Sequence, residues 1–162
     1  MAQRRIASAW QARLWFHRLG ALPFSCMDLT YPAETVAFRA KINTFLDDNL
    51  PDDWKGIGAV PAADRYDFQM AWRRTLKAND LLAANWPAEY GGGGLSHLEM
   101  VVMYEEFAKR GAPTSGPNDG FSISMVGNTI LHWGSDEQKA HYIPRILDGT
   151  DIWCQGYSEP DS

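Results

Sequence analysis

Asn85-Trp86-Pro87-Ala88-Glu89-Tyr90-Gly91-Gly92-Gly93-Gly94-Leu95-Ser96-His97-Leu98-Glu99 is the stretch on which the fold turns. Four consecutive glycines lose too much backbone entropy to sit inside a helix or strand, so residues 91–94 are loop. A helix start comes directly after them: the Ser96 hydroxyl can accept from the third helical N–H while Glu99 reaches back, a capping box. Met100, Met103, Tyr104 and Phe107 then fall on one side of a helix, which Gly111 and Pro113 stop. Upstream, Phe68, Trp72 and Leu76 form an apolar line, and Gln69, Arg73, Lys77 and Asp80 a polar one, over about residues 63–84. The glycine run is therefore a connection between two amphipathic helices.

The same periodicity extends in both directions. Phe38, Ile42, Phe45 and Leu46 predict a helix from Pro32 to about Asn49, with Thr30 or Tyr31 as N-cap and Leu50-Pro51 closing it. Toward the other end a fourth helix is expected over about 119–133, presenting Phe121, Met125, Ile130 and Trp133, with Gly127 marking a close approach of another backbone. Ser135-Asp136-Glu137-Gln138 is a second capping box and opens a fifth helix, which Pro144 is expected to kink or split. After the Asp148-Gly149 turn, Ile152, Cys154 and Gly156 alternate with Trp153, Gln155 and Tyr157, the pattern of a β-strand. The expected fold is all-α, a bundle of five to six helices, with one C-terminal β-strand belonging to a β-domain beyond residue 162.

Composition narrows the function classes. The chain has 162 residues, 45% hydrophobic and 22% charged, which suits one soluble globular domain. No uninterrupted apolar run of about 18 residues occurs, so no membrane span is expected. The net charge of −5 argues against a nucleic-acid binder. Cys26 and Cys154 stand in no metal spacing, and two cysteines make no disulfide scaffold. Residues 1–26 hold Arg4, Arg5, Arg13 and Arg18 and no acid, a charge of +4 that leaves −9 on the rest. This segment reads as an extension ahead of a start at Met27, as an Arg-rich transit-like segment, or as a structured element; the domain pattern begins at Met27.

Taken one at a time, the residues with chemical potential have ordinary readings. The glycine run precedes a helix N-terminus, yet no Gly-Lys-Ser/Thr follows and no strand precedes, so it fails as a phosphate loop. His17, His97, His132 and His141 show no metal-ligand spacing, and no Gly-x-Ser-x-Gly elbow is present. Glu105 and Glu106 point about 100° apart on a helix. Each has a basic residue four positions on, Lys109 and Arg110, which describes a solvated, salt-bridged face.

Read together, the motifs say more. Trp86-Pro87-Ala88-Glu89-Tyr90-Gly91-Gly92 with Ser96 and Glu99, then Glu105-Glu106 with Arg110, Ala112 and Pro113, resembles the acyl-CoA dehydrogenase family. So does Gly134-Ser135-Asp136-Glu137-Gln138-Lys139 with Tyr142-Ile143-Pro144 and Gly149. So does Trp153-Cys154-Gln155-Gly156-Tyr157-Ser158-Glu159-Pro160, which looks like the family's flavin-contacting strand. The order and spacing hold over about residues 28–162, with Ser135-Asp136 in place of the commoner Thr-Glu and one extra glycine in the glycine run.

The resemblance implies a flavoenzyme built from an N-terminal helical domain, a middle β-domain and a C-terminal helical bundle. It would bind FAD, convert an acyl-CoA thioester to the trans-2-enoyl-CoA, and pass electrons to an electron-transferring flavoprotein. On this basis residues 27–150 correspond to the helical domain and 151–162 to the first strand of the β-domain. Gln155, Tyr157 and Ser158 match flavin-contacting positions; Phe121 and Met125 match positions lining the acyl pocket or else pack in the core. Trp86, Pro87, Tyr90 and the glycines read as structural. The family's glutamate base lies beyond residue 162, so the expectation is a catalytically incomplete N-terminal part of the enzyme. A non-catalytic helical interaction module or subunit derived from the family is the alternative. The resemblance further implies a homo- or hetero-oligomer, bacterial and cytoplasmic, or of the mitochondrial matrix if residues 1–26 are a transit peptide.

Overall fold

The helices follow from the apolar stripes, and among the described residues five are α-helical. In a computed structural model that describes residues 30–160, α1 spans Ala33–Asn49, α2 Arg65–Ala78 and α3 His97–Arg110. A π-helical segment, π1, spans Gly120–Gly127 and runs directly into α4, Asn128–Trp133; α5 spans Asp136–Asp148. Single 3₁₀ turns lie at Ile57–Ala59 and Ala88–Tyr90. The expectation for residues 1–26 lies outside the described residues. Residues 32–160 lie within one compact unit.

Both capping boxes form. Ser96 Oγ accepts from Glu99 N–H and Ser135 Oγ from Gln138 N–H, while the Glu99 and Gln138 side chains accept from the cap N–H groups. At α1 the cap falls on Pro32, not on the expected Thr30 or Tyr31.

The core gathers the apolar lines. Ile42, Phe45 and Leu46 of α1, Trp72 and Leu76 of α2, Met103 and Phe107 of α3, and Ile143, Ile146 and Leu147 of α5 are all buried in one cluster. Aromatic rings occupy its centre: Phe45 lies 5.6 Å from Trp72 and 6.1 Å from Phe107, centroid to centroid. At that spacing such pairs add about 0.5–1.5 kcal/mol each beyond area burial.

Three expectations change. The second helix ends at Ala78, not Ala84, because Leu81 N–H and Leu82 N–H both return to the Leu76 carbonyl. That turn drops Leu81, Leu82 and Ala84 into the core, with Asp80 and Ala83 in left-handed backbone (φ 57° and 47°). Burial of those three side chains overrides their helical spacing. Pro144 does not split α5, which runs unbroken through it. Its ring sits on the exposed side, and burial of Ile143, Ile146 and Leu147 on the other holds the helix together despite the lost N–H. Lastly, no strand forms over residues 151–160 among the described residues. A strand exists only where a neighbour takes its N–H and C=O groups; here the Trp153 N–H instead donates to Ser122 Oγ at 2.9 Å.

Candidate functional site

The glycine run and the helix after it build one corner together. A Cβ on Gly92 would collide with the Trp86 carbonyl and Cβ, and one on Gly93 with the Asp80 carbonyl. These residues are glycine because backbone packs against them, not because the turn is loose. The corner seats Trp86, only 1% exposed, whose ring lies against Gly127 of π1. The close approach expected at Gly127 is therefore made by a side chain: Cη2 and Cζ2 of Trp86 fill the space a Cβ would need. The indole N–H donates to Asn128 Oδ1 at 2.7 Å.

That bond lies where the helix changes register. When an i→i−5 ladder hands over to i→i−4, one carbonyl is passed over by the backbone donors. Asn128 Nδ2 donates to the Ser124 carbonyl at 3.0 Å, and Thr129 Oγ1 to the Met125 carbonyl at 2.9 Å. Side chains thus hold the hand-over, and Asn128 links it to Trp86.

The π winding changes which residues face inward. Ser122 and Ile123 are buried, Phe121 is half-buried, and Met125 is 46% exposed. Trp133, expected on the same apolar line, is 87% exposed. An α-helix of 3.6 residues per turn and a wider π-helix rotate the same sequence onto different faces. Phe121 and Met125, four apart, consequently lie away from the core centre.

A second cluster anchors the start of π1. Arg73 and Asp119 are both 3% exposed. Arg73 Nε donates to both Asp119 oxygens at 2.9 and 3.0 Å, and Gly116 N–H donates to the same carboxylate at 2.7 Å. The other guanidinium nitrogens donate to the carbonyls of Leu147 (2.8 Å) and Ile146 (2.6 Å), in the last turn of α5. Periodicity puts Arg73 on the polar line of its helix; it is instead buried, with all three guanidinium nitrogens hydrogen-bonded. Nothing in the local pattern marks it, because its partners are 46 and 73–74 residues away.

Residues 154–158 carry the positions expected to meet the flavin. Gln155, Tyr157 and Ser158 are exposed, Tyr157 by 82%. Their base is fixed: Trp153 N–H is held by Ser122, the Trp153 ring lies edge-on to Tyr142 at 5.9 Å, and Asp151 makes a two-pronged pair with Arg145 at 2.7 Å. The Asp151 carboxyl is held below its ordinary range by that guanidinium. Trp153 Nε1 is a buried donor without an acceptor. Gln155, Tyr157 and Ser158 thus present an amide, a phenol and a hydroxyl to solvent, groups able to hydrogen-bond a polar ligand edge.

The carboxylate pair is not a solvated face. Glu106 is 5% exposed and accepts from Arg39 of α1, from Asn43 Nδ2 at 3.2 Å and from Lys109 Nζ at 2.6 Å. Burial alone pushes its pKa up, yet the three donors more than offset this and hold it below the usual range. Arg39 also binds Glu105, and Arg110 pairs with Asp47 rather than with Glu106. The group clamps α1 to α3, which is a structural task. Among the described residues no cluster of His, Cys, Asp and Glu has the makings of a metal site.

Residues 32–150 match the N-terminal domain of acyl-CoA dehydrogenases. The chain is 40% identical over 134 residues to the acyl-CoA dehydrogenase IpdE1 of Mycolicibacterium smegmatis, covering 80% of this chain and 33% of that protein. It is 42% identical over 138 residues to the acyl-CoA dehydrogenase FadE26 of Mycobacterium tuberculosis, covering 83% and 33% respectively. Among solved structures it superposes on the Tcur3481-Tcur3483 steroid ACAD with a TM-score of 0.61 and 32% identity, over 84% of this chain and 34% of that one. It also superposes on the ChsE4-ChsE5 complex from Mycobacterium tuberculosis, with a TM-score of 0.60 and 28% identity over 83% and 32%. The all-helical unit with its glycine corner is thus the N-terminal helical domain of a flavoenzyme family. The chain belongs to the acyl-CoA dehydrogenase family, and it spans about a third of the length of the curated relatives it matches. No described helix is long and apolar enough to cross a membrane.

Proposed function

We propose that the chain serves as the N-terminal helical part of an FAD-dependent acyl-CoA dehydrogenase that converts a bulky acyl-CoA thioester, of the steroid-bearing kind, to its trans-2-enoyl form. Residues 27–150 act as the helical domain and 151–162 as the lead into the next one. The carrying observation is the Ser122–Trp153 bond. It joins the segment that bears Phe121 and Met125 to the segment that bears Gln155, Tyr157 and Ser158, so an acyl wall and a flavin edge share one support. Phe121 and Met125 pack against the acyl group and exclude water from it. Gln155, Tyr157 and Ser158 orient the isoalloxazine by hydrogen bonds. When bound, the flavin supplies hydride acceptance, and the protein supplies positioning. The proton acceptor is the glutamate that family members carry in another domain, and electrons leave to an electron-transferring flavoprotein.

The steroid preference is supported by the likeness to a steroid ACAD, and assembly with a second chain by the likeness to the ChsE4-ChsE5 complex. The test is optical. The protein is isolated in its native assembly, its flavin absorbance is recorded, and steroid-side-chain and straight-chain acyl-CoA thioesters are added without oxygen. Bleaching by the steroid thioester at lower concentration is the expected result. A colourless assembly, or flavin that neither thioester bleaches, refutes the reading.

A further inference from the structure

Two groups of residues flank the proposed site: Phe121 and Met125 on π1, and Gln155, Tyr157 and Ser158 after α5. Asp119 immediately precedes π1, and Leu147 is in the last turn of α5, ahead of residues 151–158. One guanidinium holds both. Arg73 gives its Nε to the Asp119 carboxylate and its two terminal nitrogens to the Leu147 and Ile146 carbonyls. The pocket around it is shaped for arginine. A Cβ on Gly116 would fall 2.6 Å from Arg73 Cδ, and one on Gly149 3.1 Å from its Nη1. Ser122 and Trp153 repeat the connection further along the same two segments.

We infer that Arg73, through Asp119, is the positioning residue that sets the spacing between the acyl-facing segment 120–127 and the flavin-facing segment 153–158. The inference rests on the proposed dehydrogenase reading for its functional meaning, though not for its geometry. A planar guanidinium with three nitrogens committed in fixed directions defines the relative placement of its partners; an ammonium of equal charge has no such fork. A hydride donor and acceptor require their placement within fractions of an ångström, so a loosened spacing is felt in the chemical step more than in binding.

Hydrogen exchange on the full chain tests the geometry. In Arg73→Lys, amides of residues 121–127 and of Trp153 should exchange roughly tenfold faster, while those of Leu46 and Phe107 on the α1–α3 side change by less than about twofold. Asp119→Asn keeps the volume and an acceptor for Gly116 and should give the same pattern, which covers the case in which Arg73→Lys fails to fold. Ser122→Ala should speed Trp153 alone. A uniform rise across all helices, or acceleration of 121–127 without Trp153, overturns the inference. In the flavin-loaded assembly, Arg73→Lys should lower kcat roughly tenfold with KM within about threefold; a raised KM at unchanged kcat also overturns it. If the wild-type assembly carries no flavin, the dehydrogenase reading falls while the exchange pattern still decides the geometry.

Discussion

Gly127→Ala should destabilise this protein, although alanine is the better helix former. In an open helix the exchange would gain about 1 kcal/mol. Here the new methyl carbon would lie closer than 3.0 Å to Cη2 and Cζ2 of Trp86, a separation real side chains do not adopt. The ring has little freedom to retreat, being 1% exposed and pinned through its N–H to Asn128 at 2.7 Å. Overpacking of a closed core costs about 1–3 kcal/mol. If the ring withdraws, the Trp86–Asn128 bond, worth about 0.5–1.5 kcal/mol net, goes with it. The balance is a loss of about 2 kcal/mol, or a melting temperature lower by roughly 5–10 °C in a domain of this size.

Urea and thermal unfolding followed by circular dichroism give the number, with Gly120→Ala as control because a Cβ there meets nothing within 4 Å. The control should be neutral or slightly stabilising. Repeating Gly127→Ala in a Trp86→Leu background should abolish most of the cost, since the offending ring is gone. A Gly127→Ala protein as stable as the parent, or a cost that persists undiminished beside Leu, would refute the account of why this glycine is there.

Other outcomes rest on the same geometry. Met125→Ala should change stability by less than about 1 kcal/mol, whereas Ile123→Ala should cost about 2–5 kcal/mol; equal costs in urea titrations would show that π1 does not turn Ile123 inward. Ser96→Ala and Ser135→Ala should each lose about 1 kcal/mol of thermal stability through their capping boxes, and no loss would mean the boxes are not formed in solution. Glu106 has a folded pKa below its unfolded one, so its contribution is present above the unfolded value of about 4.3 and disappears as pH falls through the folded value. Glu106→Gln should therefore cost about 1–3 kcal/mol near neutral pH. It should also flatten the fall of melting temperature on acidification below about pH 5, and a curve of unchanged slope would contradict the clamp.

Much of the helical architecture was legible in the chain because its signals are local. Capping boxes at Ser96 and Ser135, breaks at Leu50-Pro51 and Gly111, and stripes such as Phe68, Trp72 and Leu76 depend only on residues within a turn or two. The family was legible too, since four motifs kept their order. What local signals left open was decided by partners far away in sequence. Leu81 and Leu82 read as the continuation of a helix, and a turn returning to the Leu76 carbonyl buries them instead. Phe121 and Met125 read as one line with Trp133, and a register change held by Asn128 and Trp86 rotates that line outward. Glu106 and Arg73 read as surface charges, and each is buried against partners brought in from distant segments, Arg39 and Asn43 for the one and Asp119, Ile146 and Leu147 for the other. Periodicity records which residues share a face of an ideal helix. Whether the face meets core or water, and whether a charge finds its counter-charge there, is settled only when the distant segments come together.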